Sequence, residues 1–188
     1  MSASQIRADV VANTGPLVED EKFRAVFRLL PACVAVLVAE GGGGQTVSLT
    51  CTSAVPLSRV PPLVGVAVGT QTTIAALLDP GHAFSVNFLS HGADEVSELF
   101  AGGHPPPSAA RRPHHRAAVA VRTGVPSLAA GTVAVLVCSV VACEPTGDHL
   151  FVVGAIRAAR FQADEVPLLY GMAGYGQFLP NDKRLTEG

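Results

Sequence analysis

The sequence carries little charge of either sign. Only 15% of its 188 residues are Asp, Glu, Lys or Arg, and the formal net charge is −2. A chain with so few charges and 48% apolar residues has enough apolar surface to form a buried core and is not disordered. We therefore expect one domain at residues 20–180, between an N-terminal arm at 1–19 and a C-terminal tail at 181–188. The charge balance also lacks the basic surface that nucleic acid or an anionic membrane requires, which excludes both as primary partners.

No apolar run is long enough to cross a bilayer. The most apolar stretch, residues 128–143, contains Gly131, Thr132 and Ser139 and falls short of the roughly 20 residues that a spanning helix needs. Its β-branched valines favour a buried strand. The first ten residues lack the basic segment and apolar core of a secretory signal. We expect a cytoplasmic protein.

Motifs for metal binding or acid–base catalysis are also missing. The four cysteines show no Cys-x-x-Cys spacing: Cys33, Cys51, Cys138 and Cys143. His104, His114 and His115 have no cysteine or carboxylate at ligand spacing, so we predict no metal site. No nucleophile–base pair, acid–base pair or dinucleotide fingerprint is present. The expected chemistry is therefore that of a bound cofactor.

What the sequence does contain is a series of strand patterns with a few short helices. Phe23, Val26, Phe27 and Leu30 recur at helical spacing from Asp20, and Pro31 ends the pattern. A second helix is indicated around Ile74–Leu78, and a third around Asp94–Phe100. Strands are predicted at 33–39, 45–51, 63–68, 84–89, 131–143 and 150–161. Six or so such strands favour a mainly β fold, an antiparallel six-stranded β-barrel with a few short helices.

Two glycine- or proline-rich segments admit more than one interpretation. The run Gly41–Gly44 is interpreted as a hairpin turn and not as a phosphate loop, because neither a helix nor Lys-Ser/Thr follows it. The segment 102–116 combines four prolines with Arg111, Arg112 and Arg116. It is either a solvated surface loop or a contact for the phosphates of a nucleotide.

The stretch Val47–Val68 is the best candidate for a binding wall. It consists of a strand, a crossing that contains prolines and a second strand, with small hydroxyl residues on the crossing: Thr50, Thr52, Ser53 and Ser58. Short hydroxyls fill a core poorly, and the crossing also presents backbone N–H groups. We expect this stretch to present polar groups to a ligand.

Three further features leave a structural and a functional role open. Thr70, Thr72 and Thr73 precede a predicted helix, where they either cap it or help to hold an anion. Asn87 lies within a strand, where its amide can satisfy a neighbouring turn or contact a planar heterocycle. His149 ends a turn at the rim of the sheet, a position that suits a donor aimed into a cleft.

Over residues 22–178 the chain resembles the flavin reductase-like family, which comprises FMN-binding split barrels related to the reductase components of two-component flavin monooxygenases. The resemblance is carried by the order of several segments: Phe23–Val36, Thr50–Ser53, Pro61–Val64, Phe84–Leu89, Gly147–His149, Val153–Gly154 and Pro167–Tyr170. It implies a split β-barrel and a flavin site. Three positions depart from the family pattern: Cys33, Val60 and the Met172–Gly174 segment before Tyr175. These departures bear on the binding of the nicotinamide nucleotide more than on that of flavin.

The resemblance also implies roles for particular residues. The crossing would line the flavin ring and its ribityl chain, and the three threonines would bind the phosphate. Asn87 and Tyr175 would contact the flavin, and His149 would orient the reactants without acting as a base. The implied cofactor-binding residues are Thr50, Cys51, Thr52, Ser53, Ala54, Thr70, Thr72, Thr73, Asn87, His149 and Tyr175.

The implied activity is an NAD(P)H-dependent flavin reductase that transfers hydride from NADH or NADPH to FMN or FAD. Its expected partners are a second copy of the chain and a flavin-dependent monooxygenase that receives the reduced flavin. Two alternatives remain open. One is an FMN-binding flavoprotein that carries out a specialised redox step or electron transfer, and the other is a non-catalytic flavin-binding module.

Overall fold

The computed structural model describes residues 16–102, 119–122 and 124–179. This part of the chain contains two α-helices, α1 (Asp20–Arg28) and α2 (Asp94–Phe100). Its strands are β1 (Ala32–Cys33), β2 (Ala35–Glu40), β3 (Thr46–Cys51), β4 (Val55–Arg59), β5 (Pro62–Gly69), β6 (Ala83–Leu89), β7 (Val119–Arg122), β8 (Val125–Leu128), β9 (Thr132–Thr146), β10 (His149–Phe161), β11 (Leu168–Gly171) and β12 (Gly174–Gln177). The arm up to residue 15, the loop segment 103–116 with its histidines and arginines, and the tail at 181–188 lie outside the described residues.

One antiparallel sheet of seven strands forms the frame of the molecule, in the order β3-β2-β6-β9-β10-β5-β4. A three-stranded sheet, β1-β11-β12, and the β7-β8 ribbon lie beside it. The prediction of a mainly β, antiparallel fold is confirmed. The six-stranded barrel is not confirmed, because the hydrogen-bonded order has seven strands and ends at two edges, β3 and β4, that do not pair with each other.

Strand β2 is buried on both faces, which explains why its sequence is a continuous apolar run. Ala35, Leu37 and Ala39 belong to one core cluster, together with Phe84 of β6. Val36 and Val38 belong to a second cluster, which includes residues of α2, β8 and β11. Successive side chains of a strand point to opposite faces. The sheet therefore separates two cores, and α2 covers one of them.

The two amphipathic helices are confirmed, but the helix predicted around Ile74–Leu78 is wrong. That segment forms a single 3₁₀ turn, Ala75–Leu77. Its backbone bonds span three residues, as in Ala75 N to Thr72 O at 3.2 Å and Leu77 N to Ile74 O at 3.0 Å. The connection between β5 and β6 must bury Ile74 and Leu78 and then reverse at Pro80-Gly81. The connection therefore ends before an α-helix can form. The helical spacing of Ile74 and Leu78 reflects only their burial in the core.

The β11–β12 hairpin turns through two residues that are not glycine. Met172 and Ala173 have φ angles of 54° and 61°, a conformation that side chains disfavour. Tyr170 pairs with Tyr175, and Gly171 pairs with Gly174. The Met172 N–H donates to the carbonyl of Arg28 at the end of α1. This bond holds the hairpin against the helix.

Gly154 of β10 lies where the core is tightest, and we expect Gly154→Ala to destabilise the fold. An added Cβ would lie 2.7 Å from Cζ of Phe84 and 3.2 Å from Cβ of Cys138, and Phe84 is fully buried. Overpacking of this kind lowers the free energy of unfolding by about 1–3 kcal/mol. Urea denaturation measures the change. The control is Gly176→Ala, where no atom lies within 4 Å of the added Cβ, and equal stability of the two variants would contradict the packing argument.

Candidate functional site

The crossing between β3 and β4 is anchored through two of its hydroxyl groups. Thr50 Oγ1 donates to the carbonyl of Ser97 in α2 at 2.7 Å. Ser53 Oγ donates to the carbonyl of Ala67 in β5, also at 2.7 Å. Thr52 is exposed between these two points. The crossing is therefore fixed to a helix on one side and to a strand on the other, and Thr52 is presented to solvent.

A cavity of about 300 Å³ opens beside the crossing. Tyr175 OH donates to Ser97 Oγ at 3.0 Å, and its ring contacts Tyr170 edge-on, with 5.2 Å between the ring centroids. The residues around the cavity include Thr50, Cys51, Thr52, Ser97, Tyr170 and Tyr175. Four of these were predicted from the sequence. Ser97 and Tyr170 were missed, although Tyr170 ends one of the segments that carry the family resemblance and is one of only two tyrosines in the sequence.

The thiols of this protein are poor nucleophiles. Burial raises the pKa of Cys51, although hydrogen bonds with Ser53 act in the opposite direction. Burial also raises the pKa of Cys138, to about 12. The nucleophile and metal ligand is the thiolate, which a raised pKa makes scarce. Cys51 therefore contributes a small apolar wall to the cavity.

A second group of predicted residues meets at the far end of β5. The backbone N–H and the hydroxyl of Thr70 both donate to the carbonyl of Asp148, at 3.0 and 3.1 Å. Gly69 pairs with His149 in the β5–β10 ladder. Thr72 Oγ1 donates to the carbonyl of Gly69 at 2.8 Å. The turn with its threonines and the histidine are thus one local structure.

The α-helix that was predicted to attract an anion to Thr70–Thr73 is missing from the described structure. Because only a single 3₁₀ turn follows, the segment has no α-helix dipole. Thr70 and Thr73 are instead exposed on the turn itself, and Thr72 is half-buried. The N–H and hydroxyl groups of Thr70 and Thr72 already donate to the carbonyls of Asp148 and Gly69, so an anion at this turn would have to compete with these bonds.

The His149 ring is oriented by its neighbour in the chain. Nδ1 lies 2.7 Å from Asp148 Oδ1. This hydrogen bond and the charge of the imidazole lower the pKa of Asp148. With Nδ1 facing the carboxylate, Nε2 at the other side of the ring is available to a ligand. Both side chains are exposed, so the histidine acts at the surface.

Ser53 connects the two groups of residues. The carbonyl of Ala67, its acceptor, lies on β5 two residues before Gly69, whose ladder partner is His149. The crossing and the threonine turn therefore border the same end of the sheet. Of the predicted residues, Asn87 is separated from this surface, and Ala54 packs against the core of the sheet.

Asn87 is fully buried, so contact with a ligand is the wrong role for it. Its Nδ2 donates to the carbonyl of Val36 and to Ser85 Oγ, both at 2.9 Å. Its Oδ1 accepts from the N–H of Leu128 at 2.9 Å. These bonds tie β6 to β2 and to the start of the β8–β9 turn, which is the structural alternative.

Within ranges 16–102, 119–122 and 124–179, no group of three or more His, Cys, Asp or Glu residues is placed to hold a metal ion. In the same ranges no helix is long and apolar enough to cross a membrane.

The comparisons with known proteins agree in pointing to one family. The model of the flavin reductase-like domain matches residues 27–178. A flavin reductase (NADH) of Kitasatospora aureofaciens is 32% identical over 164 residues, which are 86% of this chain and 83% of that protein. The reductase component of 4-hydroxyphenylacetate 3-monooxygenase of Thermus thermophilus is 32% identical over 155 residues, or 82% of this chain and 94% of that protein.

A solved structure supports the same comparison. The styrene monooxygenase flavin reductase of Pseudomonas putida S12 superposes with a TM-score of 0.73 at 26% identity. The match covers 85% of this chain and 99% of that one. The similarity therefore extends over most of this chain and nearly the whole of that one.

Proposed function

Because the chain belongs to the flavin reductase-like family, we propose that it is an enzyme that uses NADH or NADPH to reduce FMN or FAD. The observation that carries this proposal is the extent of the family match. It runs from residue 27 to residue 178 and so contains the crossing, the threonine turn, His149 and Tyr175. The relatives named as NADH-dependent reductases and as monooxygenase components support the same activity.

The residues of the site fit a flavin by their chemistry. The cavity of about 300 Å³ has apolar and aromatic walls and exposed hydroxyls at its edge, which suit a planar ring with a polar chain. We assign the ring and ribityl chain to Thr50, Cys51, Thr52, Ser53, Ala54 and Tyr175. The phosphate is assigned to Thr70, Thr72 and Thr73, and Asn87 is left out of the site.

The protein's own contribution is mainly to position the reactants. When bound, the flavin supplies the hydride acceptor. The anchored crossing and the tyrosine pair fix the plane of the ring and keep water from one face, and the threonine turn fixes its distal end. His149, whose Nδ1 lies 2.7 Å from Asp148 Oδ1, is assigned to orient the reactants through its other ring nitrogen. Such positioning accounts for the catalysis without an acid or a base in the hydride step.

The reduced flavin is released to a separate flavin-dependent monooxygenase in this proposal. The domain corresponds to residues 20–180, flanked by the arm and the tail, and acts in the cytoplasm. We also propose that the open sheet belongs to a split barrel, in which the Ser53–Ala67 hydrogen bond of 2.7 Å brings the β3 end of the sheet close to β5.

A kinetic experiment tests the activity. Purified protein is mixed with excess FMN or FAD, and oxidation of NADH and NADPH is followed by absorbance at ~340 nm under anaerobic conditions. Multiple turnovers of free flavin are expected with at least one pair of substrates. Tightly bound flavin without nicotinamide oxidation would make the protein a non-reductase flavoprotein, and no flavin binding would reject the proposal.

We propose a homodimer that forms through the hairpin of strands β4 and β5. Val55 and Leu57 of the edge strand β4 expose 44% and 43% of their surface, and Val60 in the turn after it exposes 87%. Exposed apolar side chains that cluster on an edge strand favour association.

Val60→Arg is therefore expected to convert the dimer to a monomer, because it places a charge in the apolar contact. Light scattering after size-exclusion chromatography measures the mass. The control is Glu165→Arg, an exposed position on the β10–β11 connection. A Val60→Arg protein that remains dimeric would show that the interface lies elsewhere.

Ser97→Ala is expected to weaken flavin binding about threefold to tenfold, because Tyr175 loses the partner that orients its hydroxyl. Tyr175→Phe removes the same bond from the other side. If the bond is the cause, each single variant and the double variant bind flavin with similar affinity. Quenching of flavin fluorescence gives the affinities. Effects that add in the double variant would contradict a shared role.

A further inference from the structure

A second cavity, of about 260 Å³, lies between α1 and β11. Helix α1 contributes two phenylalanines and two arginines to it, and Tyr170 forms the opposite wall. The phenylalanines are Phe23 and Phe27, and the arginines are Arg24 and Arg28. Sequence reasoning gave this helix no function. Here it forms a cleft with a mixed aromatic and cationic lining.

The cleft is continuous with the proposed flavin site. Thr52 and Tyr170 line both cavities, so the two spaces meet at the exposed part of the crossing. A ligand whose one half occupies the first cavity can therefore place its other half against α1. The β11–β12 hairpin, which carries Tyr170, is held against α1 because the Met172 N–H donates to the carbonyl of Arg28.

The lining has the chemistry that recognises a nucleotide. The Phe23 and Phe27 rings lie 4.5 Å apart and are 51% and 56% exposed, so their faces can stack with a base. Arg24 is paired with Asp20 at 2.9 Å. Arg28 forms no ion pair among the described residues, and it stands in the last turn of α1. Its guanidinium is therefore the group that can bind a phosphate.

We propose that this cleft binds the adenylate half of a dinucleotide, either FAD whose flavin half lies in the flavin site or a nicotinamide donor whose other half lies against the flavin there. The inference rests on the proposed function for the identity of that site. Two dinucleotides carry an adenylate here, namely FAD and the nicotinamide donor. The shared chemistry is an adenine ring on Phe23 and Phe27 and a phosphate on Arg28.

The test compares each dinucleotide with its mononucleotide, which lacks the adenylate. One arm measures the Kd ratio of FMN to FAD by fluorescence quenching. The other measures kcat/KM for NADH relative to reduced nicotinamide mononucleotide. In at least one arm the wild-type protein should prefer the dinucleotide, and Arg28→Gln should reduce that preference roughly 5- to 20-fold, as expected for the loss of a charge-assisted hydrogen bond.

Lys22→Gln is the matched control, because it removes one positive charge from the same helix at an exposed position. It should keep the wild-type preference. Phe27→Leu, which keeps an apolar side chain but removes the flat ring, should reduce the same preference as Arg28→Gln. If Arg28→Gln and Phe27→Leu both reduce the preference and Lys22→Gln does not, the effect comes from base stacking and phosphate binding and not from a general loss of charge.

Each outcome of the test assigns or overturns the proposal. A loss of preference in the FAD arm assigns the cleft to the flavin, and a loss in the NADH arm assigns it to the donor. Unchanged ratios in both arms overturn it. So does a change of oligomeric mass in Arg28→Gln, which would mean that a second copy covers α1. If no nicotinamide is oxidised at all, the proposed function fails, while the FMN and FAD arm still tests the cleft.

Discussion

Thr70→Glu is expected to weaken binding of FMN about 100-fold relative to Thr70→Gln. Thr70 is exposed on the turn assigned to the flavin phosphate, and its N–H and hydroxyl bind the carbonyl of Asp148. A carboxylate about 5 Å from a phosphate costs roughly 3 kcal/mol at the effective dielectric constant of a protein surface. Glu and Gln have the same size, so the comparison isolates the charge.

Riboflavin, which has no phosphate, supplies the second control. Its affinity should be the same in Thr70→Glu and Thr70→Gln, because both variants lack the threonine hydroxyl and neither side chain repels an uncharged ligand. Fluorescence quenching at several salt concentrations gives all four Kd values, and the difference for FMN should shrink as salt screens the repulsion. If Thr70→Glu and Thr70→Gln bind FMN equally well, the phosphate lies elsewhere.

The second large effect is on stability. Asn87→Ala is expected to lower the free energy of unfolding by about 3–5 kcal/mol. The substitution leaves the Val36 carbonyl and the Leu128 N–H without their side-chain partner, and it opens a cavity at a fully buried position. Urea denaturation measures the loss, and a change below about 1 kcal/mol would contradict the structural role of this amide.

Asn87→Asp adds a dependence on pH with a definite sign. Burial raises the pKa of a carboxyl group above its unfolded value. The folded state then binds a proton more tightly than the unfolded state, so stability is greater below the unfolded pKa and is lost as pH rises through the folded pKa. The variant should therefore be closest to wild type in mild acid. Asn87→Ala has no such group and provides the reference profile.

Much of the frame could be predicted from sequence because it depends on local periodicity. The spacing of Phe23, Val26, Phe27 and Leu30 gave α1, and the valine-rich runs gave β2 and β9. The 3₁₀ turn after Thr73 was missed for a physical reason. Burial of Ile74 and Leu78 produces the same spacing whether the segment forms a helix or a single turn, and only the tertiary connection decides between them.

The site was less predictable, since its contacts join distant parts of the chain. Tyr175 and Ser97 are 78 residues apart, and nothing in the pattern of α2 marks Ser97 as the partner of a tyrosine hydroxyl. Asn87 shows the opposite problem. A polar residue in an apolar strand has the same appearance in the sequence whether its amide serves a ligand or three internal partners.

The tip of the β11–β12 hairpin has a consequence for how this protein can vary. Its turn contains only Met172 and Ala173, both at positive φ, and it sets Tyr170 opposite Tyr175. Side chains of a strand alternate between faces, so inserting or deleting one residue here would turn Tyr175 away from Ser97. The two turn residues can be replaced by others, and Asn or Gly at either position would relieve the strain of a positive φ angle. Over evolutionary time selection should therefore conserve the length of this turn more strongly than its composition.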